Sequence, residues 1–131
     1  MKAETEMATK KARQPIWLAD AEDHDFPDAE SYLTLIYSGK RAAKIVAKLR
    51  AAGIVQYQAK DIFRASRLSL LGISNSHIEK NRQKIKTGTG LPPILLVRDK
   101  RNRKVIVADG YHRLCAVYEF DEDAWIPCKV V

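Results

Sequence analysis

The sequence predicts an α+β fold in which a small mixed β-sheet with packed helices follows a helical N-terminal subdomain. Apolar residues recur at helical spacing through the first half of the chain. Short β-branched runs, separated by turn residues, dominate its last third, and one helical pattern lies between two of these runs. A length of 131 residues suits one domain with a single hydrophobic core.

The first half of the chain is expected to be a tail followed by helices. Residues 1–27 show no sustained periodicity and end in a polar acidic stretch before the helix breaker Pro27, which predicts a partly ordered tail. Residues 28–65 form the predicted helical subdomain, and basic residues cover the outer faces of its middle helix. Its three helices are expected at residues 28–37, 41–52 and 58–65.

The second half, residues 66–131, carries the predicted sheet. Ser76 followed by Glu79 matches a capping box and predicts a surface helix over residues 76–86. A second helix is expected over residues 111–120, after an Asp-Gly turn. The four strands are expected at residues 67–73, 93–98, 104–108 and 125–131, with the second and third forming a hairpin.

Composition and charge narrow the classes of function. No apolar run approaches the ~20 residues of a membrane-spanning helix, and residues 1–14 lack the apolar block of a secretory signal. We therefore expect a cytoplasmic protein without a membrane partner, in which Cys115 and Cys128 are free thiols. The net charge of +7 favours phosphate-bearing partners, although such a charge is also common for solubility alone. The oligomeric state is left open, with a dimer among the alternatives.

The string Asp109-Gly110-Tyr111-His112-Arg113 is best suited to chemistry, because it lies where a strand passes into a helix. Gly110 allows close approach of the backbone, and the amides that follow it, from Tyr111 onwards, present the positive end of the helix dipole to phosphate. Arg113 offers a planar fork to phosphate oxygens, and His112 can donate to an oxygen or move a proton. Asp109 suits Mg²⁺, a hydroxyl proton or the N-cap. An ordinary turn with solvated side chains explains the same string, and both interpretations stay open.

A resemblance to a known family rests on residues 91–97, on the strand 105–108 with the string Asp109–Arg113 after it, and on the closing residues 126–131. Together these are similar to the N-terminal domain of ParB partition proteins, within the ParB/sulfiredoxin superfamily. The resemblance covers residues 66–131. In the superfamily a Gly-x-x-Arg turn holds nucleotide phosphates, which implies this role for Gly110 and Arg113. Its kinase members carry Asp-Gly-x-His-Arg near the transferred phosphate, which implies that Asp109 and His112 are catalytic.

The resemblance also implies ligands and a reaction class. The ligand is a nucleotide, CTP or ATP, with Mg²⁺ at Asp109, and an enzyme of this kind would perform phosphoryl transfer or hydrolyse a phosphodiester or nucleotide. A polar cluster ahead of the surface helix in the relatives adds His77 to the ligand-binding residues, although a capping box explains Ser76 and Glu79 without a ligand. Sulfiredoxin chemistry is not expected, because Tyr111 stands where sulfiredoxins carry their nucleophilic cysteine.

The alternative function is a non-enzymatic adaptor that associates with DNA. It uses the basic helix that carries Lys44 and Lys48 and the basic hairpin connector at residues 98–104. Residues 47–62 match a helix-turn-helix weakly, and the helix-turn-helix domain that follows this fold in partition ParB proteins is not expected after the last strand. The two functions predict different mutational effects: loss of DNA binding in Lys44 and Lys48 variants, or loss of nucleotide binding in Arg113→Ala.

Overall fold

The computed structural model describes residues 14–70 and 76–131 and has the predicted α+β architecture. A four-stranded mixed sheet lies between helices on both faces. Within these residues no helix is long and apolar enough to cross a membrane. The elements in chain order are α1 Asp25–Leu33, α2 Gly39–Ala51, β1 Val55–Gln58, α3 Ala59–Ser66, α4 Ser76–Thr87, β2 Ile94–Asp99, β3 Lys104–Asp109, α5 Tyr111–Phe120 and β4 Trp125–Val130.

The sheet has the strand order β1-β4-β2-β3. β2 and β3 form the predicted antiparallel hairpin, with Val97 opposite Ile106. β4 pairs parallel with β2 and antiparallel with β1. Two parallel strands need a crossover connection, which α5 supplies after β3 by packing on one face of the sheet. α5 therefore begins at the end of the sheet where β3 ends.

Each face of the sheet has its own apolar cluster. Leu95 and Val97 pack in one cluster with α1 and α2, whereas Ile94 and Leu96 pack in the other with α3, α4 and α5. This alternation follows the two-residue period of a strand. Because β2 is buried on both faces, its sequence is continuously apolar from Ile94 to Val97 rather than alternating.

One of the four predicted strands is wrong, and a different strand takes its place in the sheet. The strand expected at residues 67–73 is not present in its described part, because Arg67 takes a left-handed conformation (φ 57°) that ends α3, and residues 68–70 have no regular structure. Residues 71–73 lie outside the described residues. The fourth strand is β1, which pairs with β4. Since β1 lies between α2 and α3, residues 47–62 form helix, strand and helix rather than a helix-turn-helix.

The described part of the predicted tail packs on the rest of the chain, and residues 1–13 lie outside the described residues. α1 begins at Asp25, so Pro27 lies in its first turn, where a missing N–H removes no intrahelical hydrogen bond. The Leu18 amide donates to the Leu91 carbonyl at 2.8 Å. The expected boundary after residue 27 therefore falls inside a helix whose core is shared with the sheet.

Cys115 and Cys128 are not joined by a disulfide, and both are buried on the α5 side of the sheet. Burial raises the pKa of the Cys128 thiol to about 12. A thiol with so high a pKa forms almost no thiolate at neutral pH, and Cys128 acts as a small apolar core residue.

Candidate functional site

The end of β3 and the start of α5 form the corner that the sequence singles out. Val107 pairs with Leu96 but Asp109 pairs with Leu95, so Ala108 is an extra residue in β3. Such a bulge re-aims the side chain that follows it. Asp109 shares the Leu95 face of the sheet, where α1 packs, and interacts there with Asp25.

Gly110 has φ 102° and is the N-cap of α5. Gly110 has no side chain to act as a cap, so within residues 14–70 and 76–131 the amides of the first turn have neither an intrahelical acceptor nor a side-chain cap. A Cβ at this position would lie 2.9 Å from Nη2 of Arg113 and 3.0 Å from Cγ1 of Ile94. The turn therefore needs glycine both for its backbone conformation and for the close approach of these two side chains.

A polar cavity of about 260 Å³ lies in front of this corner. The strand-to-helix turn forms one wall, and one face of α4 forms the other. The structure brings together all the site residues that the sequence predicts, since each of them lines this cavity: His77, Asp109, Gly110, Tyr111, His112 and Arg113.

Lys80, Asn81 and Lys84 also line the cavity, and the sequence analysis missed them. With His77 they occupy positions i, i+3, i+4 and i+7, which share one helix face. This helical spacing is the sequence feature from which they could have been predicted. Within residues 14–70 and 76–131 neither lysine forms an ion pair. By contrast, Glu79 does not line the cavity and accepts from Gln83 at 2.9 Å. The α4 wall is therefore cationic.

The guanidinium of Arg113 is held by protein groups. Its Nη2 donates to Asp109 Oδ2 at 3.0 Å and to the Pro93 carbonyl at 3.2 Å. Its Nη1 lies 3.8 Å from Asp25 Oδ1. The side chain is only 13% exposed, and its Nε–H has no acceptor among the described residues. Arg113 is thus an internal partner of two carboxylates, which differs from the exposed phosphate clamp that the resemblance implies.

Asp109 is the titratable group most changed by this environment. Burial raises the pKa of its carboxyl to about 6, Arg113 partly offsets this effect, and the charge of Asp25 adds to it. One guanidinium therefore does not balance two buried carboxylates. An acid with a pKa near neutrality can gain and lose a proton under ordinary conditions, which suits a general base or acid.

The residues at this corner do not fit a resident Mg²⁺ ion. Mg²⁺ takes six oxygen ligands, and carboxylates are its usual protein ligands. Asp109 is the one carboxylate among the described residues that line the cavity, and it is already paired with a guanidinium. The Asp25 carboxylate accepts from the Glu22 amide at 2.8 Å. The described residues contain no group of three or more His, Cys, Asp or Glu arranged to hold a metal ion.

Three rings of the cavity lie close to one another. The ring centroids of His77 and His112 are 4.8 Å apart, and those of Tyr111 and His112 are 5.8 Å apart with nearly parallel planes. Burial, and then charge at His77, lowers the pKa of His112, so its ring is mostly neutral at pH 7. The Tyr111 hydroxyl donates to the Ser69 carbonyl, and burial raises its pKa. The neutral His112 ring can therefore donate one hydrogen bond without adding charge.

Comparison with known proteins gives no relative from which a function could be transferred. The resemblance to the ParB/sulfiredoxin superfamily stays a prediction, and the function has to be argued from the geometry of the cavity. No family model matches the chain, and no curated protein or solved structure matches it.

Proposed function

We propose that the chain binds a phosphate group of a nucleotide or another phosphoester in the cavity between α4 and the start of α5. One observation carries the proposal: Lys80 and Lys84 line the same cavity as the uncapped N-terminus of α5. Helix N-termini attract anions through their amides and dipole, and ammonium groups add charge-assisted hydrogen bonds. Both walls of the cavity therefore favour the same kind of ligand.

The size of the cavity restricts which part of the ligand it holds. Its volume of about 260 Å³ is below the roughly 300–1,000 Å³ of pockets that enclose a drug-sized molecule. A phosphate group fits, and the rest of a nucleotide would extend outwards past the rings of His77 and His112. Arg113 supports the turn from behind, through its hydrogen bonds to Asp109 and to the Pro93 carbonyl.

The proposal extends to catalysis through Asp109. In phosphoryl transfer to a hydroxyl, or in hydrolysis, the attacking oxygen loses a proton, and Asp109 with a pKa of about 6 is the carboxylate placed to accept it. Neutral His112 donates to a ligand oxygen. This part has its own readout: phosphate release from CTP or ATP that Asp109→Asn abolishes while binding persists.

Thermal stabilisation by CTP, ATP and inorganic phosphate tests the binding site. A ligand at 100 times its Kd stabilises the folded state by about 2.7 kcal/mol. We expect Lys80→Gln/Lys84→Gln to lose this stabilisation. Arg64→Gln/Lys86→Gln is the matched control, because it removes two positive charges at exposed positions outside the cavity. Equal stabilisation of Lys80→Gln/Lys84→Gln and the wild type would refute the site. Equal losses of stabilisation in this variant and in the control would show that net charge alone explains the effect.

A further inference from the structure

A second and larger cavity, of about 680 Å³, lies on the α1–α2 side of the sheet, between α2 and the hairpin end of β2. We call it the basic groove. The basic groove is lined by both regions from which the sequence predicts DNA contacts, which are the basic helix and the hairpin connector. Its lining residues from α2 are Lys40, Arg41, Lys44, Ile45 and Lys48, and those from the hairpin are Val97, Arg98 and Lys100.

The charged side chains that line the basic groove all have the same sign. Among the described residues, lysines and arginines make up six of the eleven that line it, and none of the eleven is Asp or Glu. None of the six forms an ion pair with the part of the chain that the structure describes. The acidic residue of the hairpin connector, Asp99, is engaged elsewhere, since its carboxylate accepts from the Asn102 side chain at 2.8 Å. The groove therefore carries positive charge that the described chain does not neutralise.

The cations are spread along the groove rather than converging on one point. Lys40, Lys44 and Lys48 follow one another at four-residue steps on α2, so they extend over about 12 Å of helix. One strand of B-form DNA carries a phosphate every ~3.4 Å of helix axis, which places three to four phosphates over that length. Arg98 and Lys100 add cations on the hairpin side. This arrangement fits a row of phosphates better than a single one.

We propose that the basic groove binds the phosphate backbone of a nucleic acid strand, as a site separate from the α4–α5 cavity. The competing occupant is an acidic protein segment. Such a segment presents evenly spaced negative charges, as a phosphate backbone does, only where acidic residues follow one another without interruption. The two sites lie at opposite ends of the β2–β3 hairpin, since Leu95 pairs with Asp109 at one end and Asp99 with Lys104 at the other. Backbone contacts of this kind carry no sequence information, so binding is salt-dependent and indifferent to base sequence.

Fluorescence anisotropy with a labelled 20-nucleotide oligomer, single-stranded and as a duplex, tests this proposal between 50 and 200 mM salt. We expect Lys44→Gln/Lys48→Gln to raise Kd roughly tenfold or more at 0.1 M salt. The slope of log K against log salt should become shallower by about 1.8 for the duplex or about 1.4 for the single strand. Arg64→Gln/Lys86→Gln, which changes net charge equally at exposed positions outside the groove, should bind as the wild type does.

Each outcome of this experiment decides the proposal. Equal weakening by both double variants would overturn it, because net charge alone would then explain binding. Binding of polyglutamate without binding of either oligomer would also overturn it and assign the groove to a protein. Tighter binding of the duplex or of the single strand, with the expected loss in the groove variant, supports the proposal and distinguishes the source of the phosphates. Lys44→Gln/Lys48→Gln should keep the thermal stabilisation by inorganic phosphate, because neither residue lines the α4–α5 cavity, so failure of the phosphate cavity is scored independently.

Discussion

Replacement of Gly110 by alanine tests whether the corner between β3 and α5 is built as described. Gly110 has φ 102°, a conformation that residues with a side chain rarely adopt. Its position gives no room for a methyl group, since the nearest atoms would be 2.9 Å and 3.0 Å away on Arg113 and Ile94. Ile94 is fully buried, so the surrounding core has little freedom to move aside.

The expected cost has two parts. Holding alanine in a left-handed conformation costs about 1–2 kcal/mol, and the overlap with Ile94 and Arg113 adds about 1–3 kcal/mol, as other small-to-large substitutions in packed sites do. We therefore expect Gly110→Ala to lower the free energy of unfolding by roughly 2–5 kcal/mol. Displacement of the Arg113 guanidinium should also weaken its hydrogen bond to Asp109 and reduce phosphate binding.

Urea denaturation followed by circular dichroism measures this change. Gly53→Ala is the matched control, because Gly53 has no positive φ and a Cβ there meets nothing within 4 Å. The control should stay within about 0.5 kcal/mol of the wild type, as surface substitutions usually do. A Gly110→Ala protein as stable as the Gly53→Ala protein would refute the tight turn and the placement of Arg113 beneath it.

Three further predictions concern buried groups. Since the folded pKa of Asp109 is about 6 and its unfolded value is about 3.9, the folded state binds more protons between these values, and ionised Asp109 destabilises it. The wild type should therefore gain about 1–3 kcal/mol of stability as pH falls from 7.5 to 4.5, and Asp109→Asn should lack this gain. Urea denaturation at the two pH values measures it, and the same change in the free energy of unfolding for both proteins would contradict the prediction. Lys129 is buried and donates to the Arg50 carbonyl at 2.9 Å, so Lys129→Met should cost about 1–3 kcal/mol by leaving that carbonyl unpaired, and Lys129→Ala should cost more through the lost side-chain packing. Thermal melts of the two variants rank these costs. A lower melting temperature for Lys129→Met than for Lys129→Ala would contradict the packing of the aliphatic part of Lys129. Leu114→Ala should cost about 2–5 kcal/mol because Leu114 is fully buried, whereas Leu35→Ala should be nearly neutral because Leu35 is 83% exposed; similar urea midpoints for the two would contradict the core assignment.

The local pattern predicted most of the second half of the chain. β2 and β3 carry continuous β-branched and aliphatic residues on either side of a polar connector, and such residues favour a buried hairpin wherever it packs. The string Asp109–Arg113 likewise predicted a strand-to-helix turn, because glycine at Gly110 and the helical pattern after it are local signals. These signals need no knowledge of distant residues.

β1 could not be predicted in the same way. Val55–Gln58 is a short, mostly exposed edge strand without a clear apolar alternation, and it exists through its pairing with β4, about 70 residues away in the chain. Leu68 and Leu70 misled the prediction in the opposite direction. They are apolar and closely spaced, but both are exposed and no strand forms there.

The amino-acid sequence by itself determined the α+β class, the hairpin, and the placement of an acidic, a basic and an imidazole side chain around one glycine turn. These features depend on residues that are near neighbours in the chain, whose conformational preferences and hydrophobic period act locally. Only the tertiary structure decided that Arg113 pairs with Asp25 and Asp109 rather than with solvent, that Lys80 and Lys84 face the start of α5, and that the cations of α2 line a groove with the hairpin. Apart from the Arg113–Asp109 pair, these contacts join segments far apart in sequence, and their geometry is set by how helices pack on the two faces of the sheet.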